Sequence, residues 1–296
     1  MVRETSRGNA TVKDLCALFR ISRQAFYAAR KRLDKEPANQ PTKRPERRGP
    51  WATNEELTTG IRQVVEERPA WGVRKVWATL RRRGVIASHK RVWAIMHDLG
   101  LVLPPISERN YPAGRGHVVV PESNRRWATD LTTTWTRKDG LVAIMPVIDC
   151  GDRYTLAIEA SKSQEAPNVI APFARALSDQ FGSPARVPDG LELRTDNGSQ
   201  YTSAACEKLC DEWNVEQTFS PPGRPTGNAV AERLIQTLKI ELVWLRDWES
   251  LEELQEALEA WRQDYNAERP HQSLDWLTPA EKRELNLGRK PRKKAA

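Results

Sequence analysis

The chain has 296 residues, 39% of them hydrophobic and 29% charged, and a formal net charge of +8. That is enough apolar material for packed cores and enough length for two or three domains. No apolar run approaches the roughly 18–20 residues of a membrane helix. The opening MVRETSRGNA has no apolar stretch of a secretory signal, and four cysteines are too few for a disulfide scaffold, so a membrane protein, a secreted mini-protein and a coiled-coil rod are excluded.

The charge is unevenly placed. Residues 1–50 carry 13 Lys/Arg against 5 Asp/Glu, residues 51–120 carry 11 against 6, and residues 121–296 carry 23 against 28. A basic front half joined to a mildly acidic back half predicts a nucleic-acid grip attached to something else. The bland alternative is a solvated basic face. The closing Lys282-Arg283 and GRKPRKKAA read as a solvated basic tail.

In chain order, TVKDLCALFRISRQAFYAARKRL predicts two short helices capped by Thr11 and Ser22, the second studded with Arg23 and Arg30. This is the layout of a helix-turn-helix DNA reader over residues 1–35. Residues 36–52 form a Pro-rich basic linker. A second helix-turn-helix-like DNA-binding domain follows at 53–105. Thr53-x-x-Glu56 opens its first helix as a capping box. The next helix turns Val73, Val76, Trp77 and Leu80 inward and Arg81, Arg82 and Arg83 outward. Ser88 caps a third helix with Val92, Trp93, Ile95, Met96 and Leu99 inward and Lys90 and Arg91 near its start, where a recognition helix meets base edges. Trp71, Trp77 and Trp93 read as core residues. His89 and His97 have no nearby cysteine to complete a zinc set.

From about residue 125 the periodicity changes to that of strands. RRWATDLTTTW, LVAIMPVIDC and YTLAIEA predict three successive strands, with a polar turn at Gly151-Asp152-Arg153. A helix over 165–181, a strand in LELRTDN, a helix over 203–213, a strand in VEQTF, a loop in SPPGRPTGN and a helix from Asn228 to Trp244 complete a mixed α/β domain with a five-stranded sheet over 121–246. A helical extension and basic tail occupy 247–296.

Three acids stand out. Asp130 lies within a half-buried strand, where a carboxylate is costly unless paired or metal-bound. Asp196 ends a strand at a sharp Asn197-Gly198 turn, at the sheet edge where α/β sites are built. Glu232 sits in the first turns of the last long helix, with 35 residues between it and Asp196. Three carboxylates converging there would hold a pair of divalent cations, Mg²⁺ or Mn²⁺, about 4 Å apart and suited to phosphodiester chemistry. Each acid alone has a bland reading as a turn residue or a dipole-favoured helix start.

Together, Trp127-x-x-Asp130, the Thr195 to Tyr201 run TDNGSQY, the spacing to Glu232, Lys239 seven residues later, and the closing YNAERPHQSLDWLTPAE at Tyr265 to Glu281 resemble the DDE transposases and retroviral integrases. The pattern is most similar to bacterial insertion-sequence transposases whose catalytic protein comes from a second, frameshifted reading frame. The resemblance implies an RNase H-like core with Asp130, Asp196 and Glu232 as catalytic metal ligands. It implies Mg²⁺-dependent cleavage at the ends of a mobile element, joining to target DNA by a freed 3′-hydroxyl, and terminal-DNA contact by Lys239. The implied partners are double-stranded DNA, further copies of this chain on that DNA, and the product of an upstream reading frame. The implied location is cytoplasmic, on the bacterial nucleoid. The His-His-Cys-Cys zinc module of retroviral integrases is absent and is not carried over.

Two other readings compete. A catalytically silent DNA-binding regulator derived from such an element would tolerate loss of one acid, and all three are present. A plain RNase H-type nuclease would not need two basic helical units ahead of its core. Nothing sets a Ser or Tyr nucleophile beside the Arg/His cluster that other recombinases require.

Overall fold

The computed structural model describes residues 51–104, 120–220 and 227–288, together with Val12, which is helical. The remainder of the first helix-turn-helix, with Arg23 and Arg30, lies outside the described residues. Residues 51–296 form one compact unit.

That unit opens with three helices, α1 (Asn54–Glu67), α2 (Val73–Arg82) and α3 (His89–Asp98). The predicted capping box is present: the Thr53 hydroxyl accepts from the Glu56 N–H, and the Glu56 carboxylate accepts from the Thr53 N–H. The Ser88 hydroxyl accepts from the Arg91 N–H and starts α3. Leu57, Ile61 and Val64 pack against Trp71, Val76, Leu80, Val92 and Met96. One residue departs from the sequence reading. Trp93 is 47% exposed, not inward, and stacks on His97 with ring centroids 5.1 Å apart. Val92 and Met96, four apart, fill the inward stripe, and Trp93 stands one residue, about 100°, round the helix.

The sheet follows. β1 (Arg126–Thr129) and β2 (Thr132–Thr136) both pair antiparallel with β3 (Gly140–Asp149). Thr129 faces Val147 and Thr132 faces Ile144, so register is continuous across the break, and Asp130 and Leu131 fall opposite Pro146 and Met145. The two segments are one strand interrupted at Asp130, which is why six segments stand where the sequence predicts five strands. Pro146 has no N–H to give to a neighbour. β4 (Thr155–Ser161) lines the other edge of β3, β5 (Glu192–Thr195) runs parallel to β1, and β6 (Glu216–Phe219) runs parallel to β5. The order β4-β3-β1-β5-β6, three antiparallel strands followed by two parallel ones, is the RNase H-like arrangement.

Alternation along the strands gives the sheet two apolar faces. Trp127 and Val147 point to α4 (Ala166–Phe181) and α5 (Ala204–Glu212), with the Trp127 indole against Phe173 and Phe181. Ala128 and Ile148 point the other way, to Leu234 and Leu238 of α6 (Ala229–Glu241) and to Leu254, Leu258 and Trp261 of α7 (Leu251–Ala267). The segment after residue 247 therefore completes the second face of the sheet.

The last helix, α8 (Pro279–Asn286), supplies a correction. Arg283, read from the sequence as part of a solvated tail, is buried. Its guanidinium donates to Asp149 at 3.1 Å, Asp152 at 2.8 Å, Asn124 at 2.9 Å and Gln180 at 2.7 Å. Asp152, in the turn after β3, is fully buried with it. Two buried carboxylates need a buried cation, and Arg283 is the partner.

The three-helix unit is joined to the sheet domain by side chains of α1 and α2. Lys75 bonds Glu241 of α6 at 2.6 Å, Arg82 forks onto both oxygens of Glu281 at 2.7 Å, Arg68 pairs with Asp264, and the Trp77 ring meets Trp276 edge-on. No helix among the described residues is long and apolar enough to cross a membrane.

Candidate active site

The parallel pairing of β1 and β5 fixes where two of the acids stand. Asp130 follows the last residue of β1 and Asp196 the last residue of β5, so both leave the carboxyl end of adjacent strands, the usual place for an α/β site. The Asp130 carboxylate accepts from the Leu131 N–H at 2.8 Å. The Asp196 carboxylate accepts from the Gly198 N–H at 3.0 Å, and the Asn197 amide donates to the Ser220 carbonyl at 3.1 Å, tying the ends of β5 and β6 together.

Glu232 lies in the first turn of α6. Two contacts that the sequence reading missed set the start of that helix. The buried Asn228 side chain donates to the Thr129 carbonyl at 2.9 Å, bonding the helix that carries Glu232 to the strand end that carries Asp130. A Cβ on Gly227 would lie 2.6 Å from the Ser220 Cβ, closer than side-chain carbons approach, so only glycine fits where the chain returns beside β6. The signal for Asn228 was its place just before a helix; its partner, 99 residues away, was not readable.

The acids are near enough to act on one another. Burial first, and then the negative charges of Asp196 and Glu232, raise the Asp130 carboxyl, with the Leu131 hydrogen bond and the Lys239 ammonium opposing them, to a net value of about 6. Partial desolvation raises Glu232 as well. Among the described residues no three His, Cys, Asp or Glu side chains stand as a ready-made metal-holding set. Asp130 and Asp196 leave the ends of adjacent strands, and the charges of Asp196 and Glu232 both reach Asp130. Tyr201, of the TDNGSQY run, is buried beside them, and its phenol is pushed up by burial and by the charges of Asp130 and Asp196.

Lys239 lies two turns along α6 from Glu232, with its ammonium 5.8 Å from the centre of the Trp244 ring. Glu241 and Asp247, the acids that follow it, are engaged elsewhere, with Lys75 and Arg269 and with Arg137 respectively.

The basic residues of the three-helix unit divide. Lys90 is exposed. Arg81 lies over the Trp77 ring at 5.7 Å. Arg82 is held by Glu281 and Arg83 by Glu67. Arg91 donates to Asn54 and to the Ala52 carbonyl, so its guanidinium fastens the entry to α1.

Two family models described as integrase core domain match residues 120–225 and 213–279, and one described as HTH-like domain matches residues 52–107. The transposase for insertion sequence element IS629 of Shigella sonnei is 28% identical over 286 residues, 91% of this chain and 90% of the relative. Transposase InsD of insertion element IS2 from Escherichia coli is 28% identical over 239 residues, 75% of this chain and 76% of that protein. An uncharacterized 31.7 kDa protein of insertion element IS407 from Burkholderia multivorans is 27% identical over 230 residues, 77% of this chain and 80% of the relative. Among solved structures, an intasome of simian T-cell lymphotropic virus in complex with a PP2A regulatory subunit aligns with a TM-score of 0.48 at 19% identity, over 78% of this chain and 75% of that one. The HTLV-2 integrase catalytic core in complex with magnesium aligns at 0.40 and 16% identity, over 53% of this chain and 95% of that one.

Proposed function

We propose that the chain is a transposase of the bacterial insertion-sequence kind, supported by its integrase-core and HTH-like matches and its transposase relatives, and that Asp130, Asp196 and Glu232 are its catalytic acids. In this reading the protein cuts the ends of its mobile element and joins them to target DNA. The observation that carries it is the electrostatics of Asp130: its carboxyl is raised by burial and then by the charges of Asp196 and Glu232.

The donor set fits a hard divalent cation. All three groups are carboxylates, their oxygens suit Mg²⁺ or Mn²⁺, and their mutual repulsion is what a cation relieves. When bound, two such ions supply Lewis acidity to the attacking and leaving oxygens of a phosphodiester exchange. The chain's own residues do the rest. Asn228 keeps the Glu232 helix in register with the Asp130 strand. Asp196 is oriented by the Gly198 N–H. Lys239 offers an ammonium to a phosphate of the bound end. The domain at 53–105 grips double-stranded DNA, Lys90 and Arg81 being less engaged within the molecule than Arg82, Arg83 and Arg91, and the segment at 1–35 with Arg23 and Arg30 adds a second grip. The active form is a multimer of this chain on DNA in the bacterial cytoplasm, where an upstream-frame product is a further partner.

The test is incubation of the full chain with labelled DNA bearing its element's ends, in Mg²⁺ and in EDTA. Asp130→Asn, Asp196→Asn and Glu232→Gln should each abolish nicking and joining while DNA binding persists, since an amide keeps the shape and loses the charge. Joining retained by any one variant removes that residue from the site. A wild-type chain that binds the ends and never cuts them is the catalytically silent regulator.

A further inference from the structure

Trp244 is 67% exposed, one of the two most exposed tryptophans among the described residues. It sits in the short 3₁₀ turn Val243–Leu245 that follows α6. The turn is anchored at its start and again four residues past the ring: Val243 and Trp248 are buried, and the Trp248 indole N–H donates to the Val243 carbonyl at 3.1 Å, while Leu245, Arg246 and Asp247 between them are exposed. The hydrogen bond between Trp248 and Val243 ties the turn at both ends, and the ring is left facing water.

The Lys239 ammonium lies 5.8 Å from the ring centre, and Glu241 and Asp247, which follow Lys239 in sequence, are bonded to other bases. The positive charge beside the ring is therefore not cancelled by those acids. The same ammonium acts on Asp130, so ring, cation and acids occupy one neighbourhood. An exposed aromatic beside a cation is the pairing that holds single-stranded nucleic acid, the ring stacking a base and the cation meeting its phosphate.

We propose that Trp244 and Lys239 together form a stacking subsite for an unpaired nucleobase of the DNA end at the active site. The inference rests on the assignment of Asp130, Asp196 and Glu232 as the reacting centre. A blunt paired end exposes only the face of its last base pair, held in the duplex, whereas a frayed or single-stranded terminus can bring a base onto the ring beside the ammonium, so the subsite favours unpaired termini. Trp135, equally exposed at 67%, lies against Gly140 at the β2–β3 hairpin with no such cation beside it among the described residues.

The experiment uses the full chain in EDTA with two short DNA probes, one blunt and one ending in a short single-stranded extension that carries 2-aminopurine. Wild type should prefer the extended probe by about tenfold, the range that one stacked base supplies, and should quench the 2-aminopurine. Trp244→Ala should lose both the preference and the quenching, with blunt-probe binding unchanged, and Trp244→Phe should keep most of each. Equal preference and quenching by Trp244→Ala overturn the proposal. So does a Trp244→Ala chain that keeps the preference but sediments as a smaller species, which would make the ring a protein contact. Asp196→Asn separates the two readings. Its loss of Mg²⁺-dependent cutting with quenching intact supports both, and cutting that survives in it defeats the catalytic assignment whatever Trp244 does.

Discussion

Lys75 donates to Glu241 at 2.6 Å, and through that bond the three-helix unit is fastened to the same helix that carries Glu232 and Lys239. Glu241 is shared. Arg269 reaches it through Nε and Nη2, at 3.1 and 2.9 Å. Burial pushes the Glu241 carboxyl up, but the charges of Arg269 and Lys75 outweigh it and hold the acid below its ordinary value. Lys75 moves the other way for a base: burial lowers it, and the neighbouring Arg269 charge adds to that. Two cations on one carboxylate explain the lowered acid, while burial, with the second cation added to it, explains the lowered base.

That imbalance ranks the variants. Glu241→Ala leaves two cations without their anion and should cost about 3 kcal/mol, the scale for breaking a buried pair from one side. Lys75→Ala leaves the Arg269–Glu241 pair intact and should cost about 1 kcal/mol. Chemical denaturation of the two variants and of the double variant checks this. Equal costs would mean that Lys75, not Arg269, is the main partner of Glu241.

Asn228 predicts a different signature, one of rate. Its side chain bonds the carbonyl of Thr129, the residue before Asp130. Asn228→Ala should lose about 1 kcal/mol of stability and should slow end cleavage by at least about tenfold, since small misplacements of reacting groups are costly. Equilibrium binding of the element's ends should not change. A variant that cleaves at the wild-type rate would reduce Asn228 to a fold contact.

The buried cluster around Arg283 gives a pH dependence. Burial raises the Asp149 carboxyl, the neighbouring Asp152 raises it further, and Arg283 opposes both. An unfolded aspartate titrates near 3.9. With the folded pKa above that, the native state is favoured most below about 3.9, and the advantage is lost as pH rises through the folded value. Stability of the wild type should therefore carry a declining component from about pH 4 upward that Asp149→Asn removes. Urea denaturation of the two chains across pH 4–7 measures it, and parallel profiles would refute it.

Much of this was readable locally. The strands announce themselves by Thr, Val and Ile runs, the helices by caps at Thr53 and Ser88, and the acids by position: Asp130 inside a strand, Asp196 at a turn, Glu232 at a helix start. What was not readable is pairing across the chain. Lys75 and Glu241 are 166 residues apart, and Arg283 and Asp149 are 134 apart, and no local pattern says which acid a given base will meet. Arg283 therefore read as tail. Trp93 failed for a geometric reason, since a tryptophan within an apolar helix satisfies the pattern whether it faces in or out by one residue. The break at Asp130 was hidden because the register is unchanged across it.

Lys239 separates a transposase from a generic nuclease. Residues 232 and 239 are seven apart on one helix, two turns less about 20°, so they share a face. At 1.5 Å per residue the ammonium-bearing position lies about 10 Å along that face from the acid. The competing view is that Lys239 is a surface charge neutralised by a nearby acid. Glu241 and Asp247 would be the natural partners, and Lys75, Arg269 and Arg137 hold them instead. An ammonium left beside an aromatic ring and felt by Asp130 is suited to a phosphate. Lys239→Ala should thus impair processing of the element's own ends by about tenfold or more, while metal-dependent nicking of arbitrary DNA falls only slightly. Salt titration should show a binding slope for the ends reduced by about one, the value for one lost phosphate contact. Equal loss on both substrates would assign Lys239 to the fold or to general charge, and no loss on either would remove it from end recognition.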